Sequence, residues 1–282
     1  MQKGKILVNG SVVIDIISGE NFFGGTGGNI AYGLGQLKAS PMLFSLVGGD
    51  FKKGYGEHFK KSGVDTRILV DPKHKTASFL FTPQKTSKHK GRWNPNAYSN
   101  IHKISLSQKI KNQELKNVSV AIFSPGTRTS ILKHILELKQ HTAEVTIIFD
   151  PGQEIRHFSK KVLEKSIKLS DIFIVNEAEY AEGRKILGKD PRKIFKEKII
   201  IKTKGKKGSV IFNKGKIRRI KAVQPKKVLD TTGAGDAYRA GLIFGLWRGK
   251  STTESCAIGA RIASKCVECI GCQQYKIGSS TL

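Results

Sequence analysis

Acidic residues are the scarce class in this 282-residue chain: 22 Asp and Glu stand against 50 Lys and Arg, a formal net charge of +28. Such a deficit points first to a partner made of phosphates. The distribution argues against specific nucleic-acid recognition. Only 11 of the basic residues are Arg, and the lysines are spread along the chain, densest at 85–92, 184–207 and 214–227, with no Arg-and-aromatic stripe. The surplus reads as a solvated surface that still draws in anionic substrates. No apolar run approaches membrane-spanning length, so a membrane partner is not expected. Neither a fixed-period repeat nor a low-complexity tract is present. The opening "MQKGKILVNGSVVIDIISG" is interrupted by Asn9, Ser11 and Asp15, which suits a buried first strand better than a signal peptide. The expected compartment is the cytoplasm, where the four cysteines stay thiols.

Those cysteines are few but clustered. Cys266, Cys269 and Cys272 form C-x2-C-x2-C with Cys256 ahead of them, a pattern that resembles a zinc or iron–sulfur site. Their context, "ESCAIGARIASKCVEC", reads instead as a helix with cysteines on a small apolar face, where a free thiol packs as a small hydrophobe. A reactive thiol near Gly271 stays open. The seven histidines show no metal-ligand spacing. "GLWRGKS" at 245–251 fails as a phosphate-binding P-loop because Phe244 stands where the first glycine belongs. "GGTGGNIAYGLG" fails as a dinucleotide fingerprint because Ile30 takes the third glycine position.

Along the chain, short β-branched runs alternate with helical spacing. "KILVNGSVVI" reads as a strand, "GGNIAYGLGQLK" as a helix with Ile30, Leu34 and Leu37 on one side, and "PMLFSLVG" as a second strand. The alternation resumes through "NVSVAIFSPG", "RTSILKHILELKQ", "AEVTIIFDPG", "FSKKVLEKSIKLS", "DIFIVNEAE" and "KIIIKTKGKKGSVIF". Continuous apolar strands separated by helices imply an α/β fold: a mostly parallel sheet covered on both faces. Length fits one domain, 1–282. Residues 73–99 break the rhythm, being β-rich, polar and helix-free, as a small projecting flap would be. From Leu229 onward two helices close the chain.

The string "LDTTGAGDAYRAGLIFGL" at 229–246 carries the most chemistry. Gly233, Ala234 and Gly235 lack bulk at a helix start, so their N–H groups can point at an anion. Asp236 follows in the first turn, where the helix dipole favours an ionised carboxylate able to take a proton. An anion cradle beside a base describes phosphoryl transfer to a hydroxyl. Asp150, in "IIFDPGQ", sits either at a ligand-binding strand end or in an Asp-Pro turn. Arg239, three residues beyond Asp236, either pairs with that acid or with phosphate, or is a surface residue.

"DTTGAGDAYRAGLI" also resembles the second signature of the ribokinase-like (PfkB) family of carbohydrate and nucleoside kinases, and "FGGTGGNIAYGLGQL" resembles its first. Together with "VNEAE" and "IKTKGKKGS", the match runs in order from Gly10 to about Gly271. The branch it most resembles is bacterial adenosine-kinase-like. The resemblance implies a three-layer α/β/α fold with a small, reduced β lid and ATP-dependent phosphorylation of a hydroxymethyl group on a ribose-containing substrate, adenosine or another nucleoside; a free-sugar or sugar-phosphate kinase, or a relic that binds nucleotide without turnover, are the alternatives. It implies Asp15, Gly24, Gly25 and Asn29 for the sugar, and Asn176, Glu179, Thr203, Gly205 and Gly208 for the nucleotide. Glu179 would meet Mg2+ through water, and Asp230 and Thr232 would bind a monovalent cation such as K+. One departure stands out. Between Asp15 and Phe23 only "IISGENF" intervenes, at most about 25 Å of extended chain, where relatives carry a much longer stretch. Half of the lid is therefore expected to be missing, which leaves lid-mediated pairing of two copies open.

Overall fold

The structure, a computed structural model, describes residues 4–51, 54–82 and 90–278; residues 83–89 of the expected flap, and most of the lysine run at 85–92, lie outside the described residues. In chain order the elements are β1 (Lys5–Asn9), β2 (Val13–Ile17), β3 (Glu20–Gly24), α1 (Thr26–Gln36), β4 (Met42–Gly48), α2 (Tyr55–Lys61), β5 (Asp65–Asp71), β6 (Ala77–Thr82), β7 (Lys90–Asn94), α3 (Asn112–Lys116), β8 (Val118–Phe123), α4 (Arg128–His141), β9 (Thr146–Phe149), α5 (Lys160–Leu169), β10 (Ile172–Asn176), α6 (Glu177–Leu187), α7 (Pro191–Ile194), β11 (Ile199–Thr203), β12 (Ser209–Asn213), β13 (Lys216–Ile220), α8 (Ala234–Trp247) and α9 (Thr252–Cys266).

Nine strands form one twisted sheet in the order β13-β12-β11-β10-β9-β8-β1-β4-β5. From β11 to β5 every neighbouring pair is parallel, and β12 and β13 return antiparallel. Each inner strand buries both faces, which is why it reads as a continuous apolar run. Ile6 and Val8 face a core shared with α1, α2, α8 and α9, while Leu7 faces a second core under α4, α5 and α6. The chain leaves β1 toward β4 and β5 on one side and returns with β8 on the other. That reversal opens a crevice at the strands' carboxyl ends, where parallel sheets bind ligands. The close pairing of α8 with α9 depends on glycine, since a Cβ on Gly241 would stand 2.7 Å from the Gly259 Cα.

The sequence reading departs from the structure in three places. "KILVNGSVVI" is two strands in two sheets: β1 enters the large sheet, whereas β2 joins β3, β6 and β7 in a four-stranded lid ordered β3-β2-β6-β7. The short 15–23 stretch therefore builds lid strands instead of omitting them, because Ile17 pairs with Glu20 across a two-residue turn. Ser18 and Gly19 both have positive φ, 51° and 85°, the primed turn that matches the twist of a hairpin. The lid thus comprises residues 13–24 as well as strands within 73–99. Finally, β5 and the 3-10 turns at Asn96–Lys103 carry no strong periodic signal.

Candidate active site

Alternation along the lid strands decides what faces the crevice. Val13 and Asp15 on β2, Phe79 and Phe81 on β6, and Trp93 on β7 share one face, with Asp15 opposite Phe79 and Phe79 opposite Trp93. They roof a cavity of about 400 Å3 whose floor includes Ser11, Gly25, Asn29, Thr232, Gly233 and Asp236. A second cavity, about 260 Å3, adjoins it and is lined by Asp150, Asn176, Glu179, Thr203, Gly235 and Arg239. Asp236 lines both.

The helix α8 begins at Gly233, which has φ 75° and no side-chain cap. Its Cβ position would lie 2.8 Å from that of Cys272, so the tip is glycine by conformation and by crowding. Gly235 is exposed and Gly233 and Ala234 half-buried, leaving the tip open to the cavities, although the Ala234 N–H already closes a turn onto the Thr231 carbonyl at 3.3 Å. Asp236 accepts a hydrogen bond from Asn29 Nδ2 at 2.8 Å through Oδ2. Its pKa is pushed up to about 6, by burial above all, with Asp150 and Glu179 adding to the rise and Arg239 and Asn29 opposing it. Burial thus outweighs the opposing pull of Arg239 and Asn29 on this carboxylate.

Asp15 is buried, and its pKa rises to about 7 because burial is reinforced by the charges of Asp236 and Asp230. Gly24 leaves the space Asp15 occupies: a Cβ there would overlap the carboxylate. Arg239 is buried rather than superficial. It donates to Asp150 Oδ1 at 2.9 Å and to the Gly235 carbonyl at 3.0 Å, and its Nε forms an ion pair with Asp150 Oδ2. Asp150 also accepts the Gly152 N–H at 3.2 Å, so it serves the turn and the cavity at once. Asn176 and Glu179 form a reciprocal capping box at the start of α6, at 2.9 and 2.8 Å. The Glu179 pKa is raised by burial and by Asp150.

Not every expected residue lines the cavities. Thr203 does, while Gly205 and Gly208 shape the turn that follows it. Thr232 lines the larger cavity, but Asp230 braces loops, accepting the N–H of Thr232 at 2.8 Å and of Gly271 at 3.1 Å. Cys256 and Cys266 are buried on α9, whereas Cys272 lies beyond it against Gly233. Among the described residues no three His, Cys, Asp or Glu side chains are grouped closely enough to hold a metal directly.

The reading from sequence missed the aromatic roof, although "SFLF" shows its alternation, and it missed Gln273. This buried amide donates to Asn29 Oδ1 at 2.9 Å and to the Tyr55 hydroxyl at 2.8 Å. No local pattern marks it.

Residues 4–277 match the family model described as pfkB family carbohydrate kinase. The chain is 29% identical over 275 residues to a nucleoside kinase of Methanocaldococcus jannaschii, covering 92% of this chain and 84% of that protein. It is 25% identical to an ATP-dependent 6-phosphofructokinase of Thermoanaerobacterium thermosaccharolyticum, covering 96% and 90%. Among solved structures, the Methanocaldococcus jannaschii nucleoside kinase, described as an archaeal member of the ribokinase family, superposes with a TM-score of 0.88 at 26% identity, covering 97% and 94%. The Burkholderia thailandensis nucleoside kinase in complex with inosine gives 0.86 at 25%, covering 98% and 95%.

Proposed function

The chain belongs to the pfkB family of carbohydrate kinases, and from that premise we propose that it phosphorylates the hydroxymethyl group of a purine nucleoside, adenosine in the first instance, with ATP as donor. It is a nucleoside or sugar kinase, a phosphotransferase acting on an alcohol. The single observation that carries the finer reading is the place of Asp236, on the shared wall of two cavities and beside an uncapped helix tip.

In this reading the larger cavity takes the acceptor. Its volume falls within the roughly 300–1,000 Å3 of small-molecule sites. Asp15 and Asn29 grip the ribose hydroxyls, with Gly24 and Gly25 making room for them. The rings of Phe79, Phe81 and Trp93, with Phe79 and Phe81 tilted 65° to each other, offer a base an aromatic face, a contact worth about 1–3 kcal/mol where bases stack on aromatics.

The smaller cavity takes the phosphate end of ATP, with Asn176, Glu179 and Thr203 along its side and the turn through Gly205 and Gly208 beyond. Asp150, Glu179 and Asp236 line the same cavity, and Asp150 helps to raise the pKa values of the other two, a setting that suits a divalent cation, Mg2+, held by Glu179 through water. Bound there, the cation would neutralise charge on the phosphates. Asp230 and Thr232 are assigned to a monovalent cation such as K+. Asp236 takes the proton of the acceptor hydroxyl as its oxygen forms the bond to the γ-phosphorus. The bond from that phosphorus to the bridging oxygen breaks, and ADP leaves. The N–H groups of the 233–235 tip hold the migrating phosphoryl oxygens, Ala234 exchanging its 3.3 Å bond to the Thr231 carbonyl for one to phosphate, the kind of donor whose removal costs about a hundredfold or more in rate. ATP and nucleosides meet in the cytoplasm, where this reading places the protein.

ADP release measured with adenosine, inosine, ribose and fructose 6-phosphate tests the assignment. Adenosine or inosine should give the highest kcat/KM. Preference for ribose or the sugar phosphate would overturn the nucleoside reading, and ATP binding without acceptor-dependent release would identify a relic.

A further inference from the structure

Asp236 ends a chain of side-chain amides whose direction can be worked out from one backbone carbonyl. The Gly24 carbonyl can only accept, so Tyr55, 2.6 Å away, must donate its one hydroxyl proton to it. The Tyr55 oxygen then has only acceptor capacity left for Gln273 at 2.8 Å, which places the Gln273 NH2 on that side. The second N–H of the same NH2 meets Asn29 Oδ1 at 2.9 Å. With its oxygen so occupied, Asn29 must turn its own NH2 toward Asp236 Oδ2 at 2.8 Å. The opposite end agrees: Gln273 Oε1 faces His58 Nε2 at 3.1 Å, which then carries the proton. Tyr55, Asn29 and Gln273 are all buried, and of the three Asn29 lines the larger cavity.

We infer that Gln273 is a positioning residue for the phosphoryl transfer: it fixes the sense of the Asn29 amide, so that an N–H and never a lone pair faces Asp236 Oδ2, leaving Oδ1 to take the acceptor's proton. The inference rests on the reading of Asp236 as the base. It also joins the base to the lid, since Gly24 is the last residue of β3, where the lid meets α1.

The other charged and titratable groups around Asp236 come from several elements: Arg239 on its own helix, Asp150 after β9, Glu179 on α6, Asp15 on β2, and the thiols of Cys266 and Cys272. None of them touches Gln273 by a hydrogen bond among those described, so changing Gln273 reaches Asp236 through Asn29. Gln273→Glu removes the NH2 while keeping size and shape. In its ionised form the carboxylate can only accept, so either Asn29 reverses and aims Oδ1 at Asp236 or its amide loses the anchor that held its N–H there.

The test is the pH dependence of kcat/KM for adenosine in Gln273→Glu and Gln273→Met, alongside ATP affinity, thermal melting and Asp236→Asn. The expected result for Gln273→Glu is an acidic limb displaced upward by about one pH unit, with a loss of about tenfold at pH 5 that shrinks to about twofold at pH 7, and with ATP affinity unchanged. Gln273→Met should move the limb the same way by less, and it decides the matter if the Glu variant fails to fold. An unmoved limb in a folded variant overturns the inference even when Asp236→Asn is inactive. Full turnover by Asp236→Asn would instead sink the assignment of the base. Independently, 15N spectra of His58 should show the Nε2–H tautomer; the Nδ1–H form contradicts the derived direction.

Discussion

At the scale of single residues, the site stores unfavourable charge. Asp15 has a folded pKa of about 7, raised by burial first, against an unfolded value of about 3.9. A carboxyl with a raised folded pKa contributes its full stability below the unfolded value and loses it as pH rises through the folded one. The protein should therefore melt at a lower temperature at pH 8 than at pH 5 on this account. Asp15→Asn should raise Tm at pH 8, by about 1–3 kcal/mol of stability, while raising KM for the acceptor at least tenfold. A calorimetric series at the two pH values checks this, and a variant that melts lower at pH 8 would contradict it. Arg239 illustrates what residue-level reading could not supply. Its spacing from Asp236 was visible, but its ion pair with Asp150 spans 89 positions, and nothing in the local string distinguishes a buried partner from a solvated one. Gln273 is the stronger case, because its partner Asn29 is 244 positions away and an isolated glutamine carries no periodicity.

At the scale of elements, the helix starts do the positioning. The tip of α8 is uncapped by any side chain, whereas α6 and α9 close theirs with capping boxes, Asn176 with Glu179 and Ser251 with Glu254. An open start beside capped ones is what an anion site needs. Gly233→Ala meets two obstacles there, a φ of 75° and the Cys272 side chain at 2.8 Å. The expected outcome is a loss of about a hundredfold in kcat with smaller effects on acceptor KM, read by steady-state kinetics; a variant within twofold of the parent would show that the tip is not used. The string from Leu229 made this helix start legible in advance because backbone geometry there constrains residue type. The lid hairpin was not legible for the opposite reason. Its turn, Ser18 and Gly19, is so short that the segment looked like a deletion, and the twofold alternation of β2 merged into the apolar run of β1.

For the whole molecule, the scarcity of acids acquires a pattern. Asp15, Asp150, Glu179, Asp230 and Asp236 concentrate around one crevice, within a chain carrying 50 basic residues against 22 acidic ones. The long-range field draws in a polyanion and the local carboxyls receive its accompanying cation. Raising ionic strength from about 0.02 to 0.5 M, over which the screening length falls from about 20 Å to about 4 Å, should lower kcat/KM for ATP several-fold. It should leave kcat/KM for an uncharged nucleoside nearly unchanged at saturating ATP. Equal effects on both substrates would mean that the charge plays no part in capture. The parallel sheet and its two helical layers were readable from alternating runs, since buried strands and amphipathic helices announce themselves by period. The joining of lid, α1, α8 and the C-terminal loop into one site is a product of tertiary packing.

The central claim is that Asp236 removes the acceptor proton beside the bare tip of α8. The most direct measurement is single-turnover phosphoryl transfer from ATP to adenosine by Asp236→Asn, a near-isosteric change that removes the base. The account expects a loss of several powers of ten in rate, about 1.4 kcal/mol for each, with ATP and adenosine still bound. Transfer at the parent rate would contradict it.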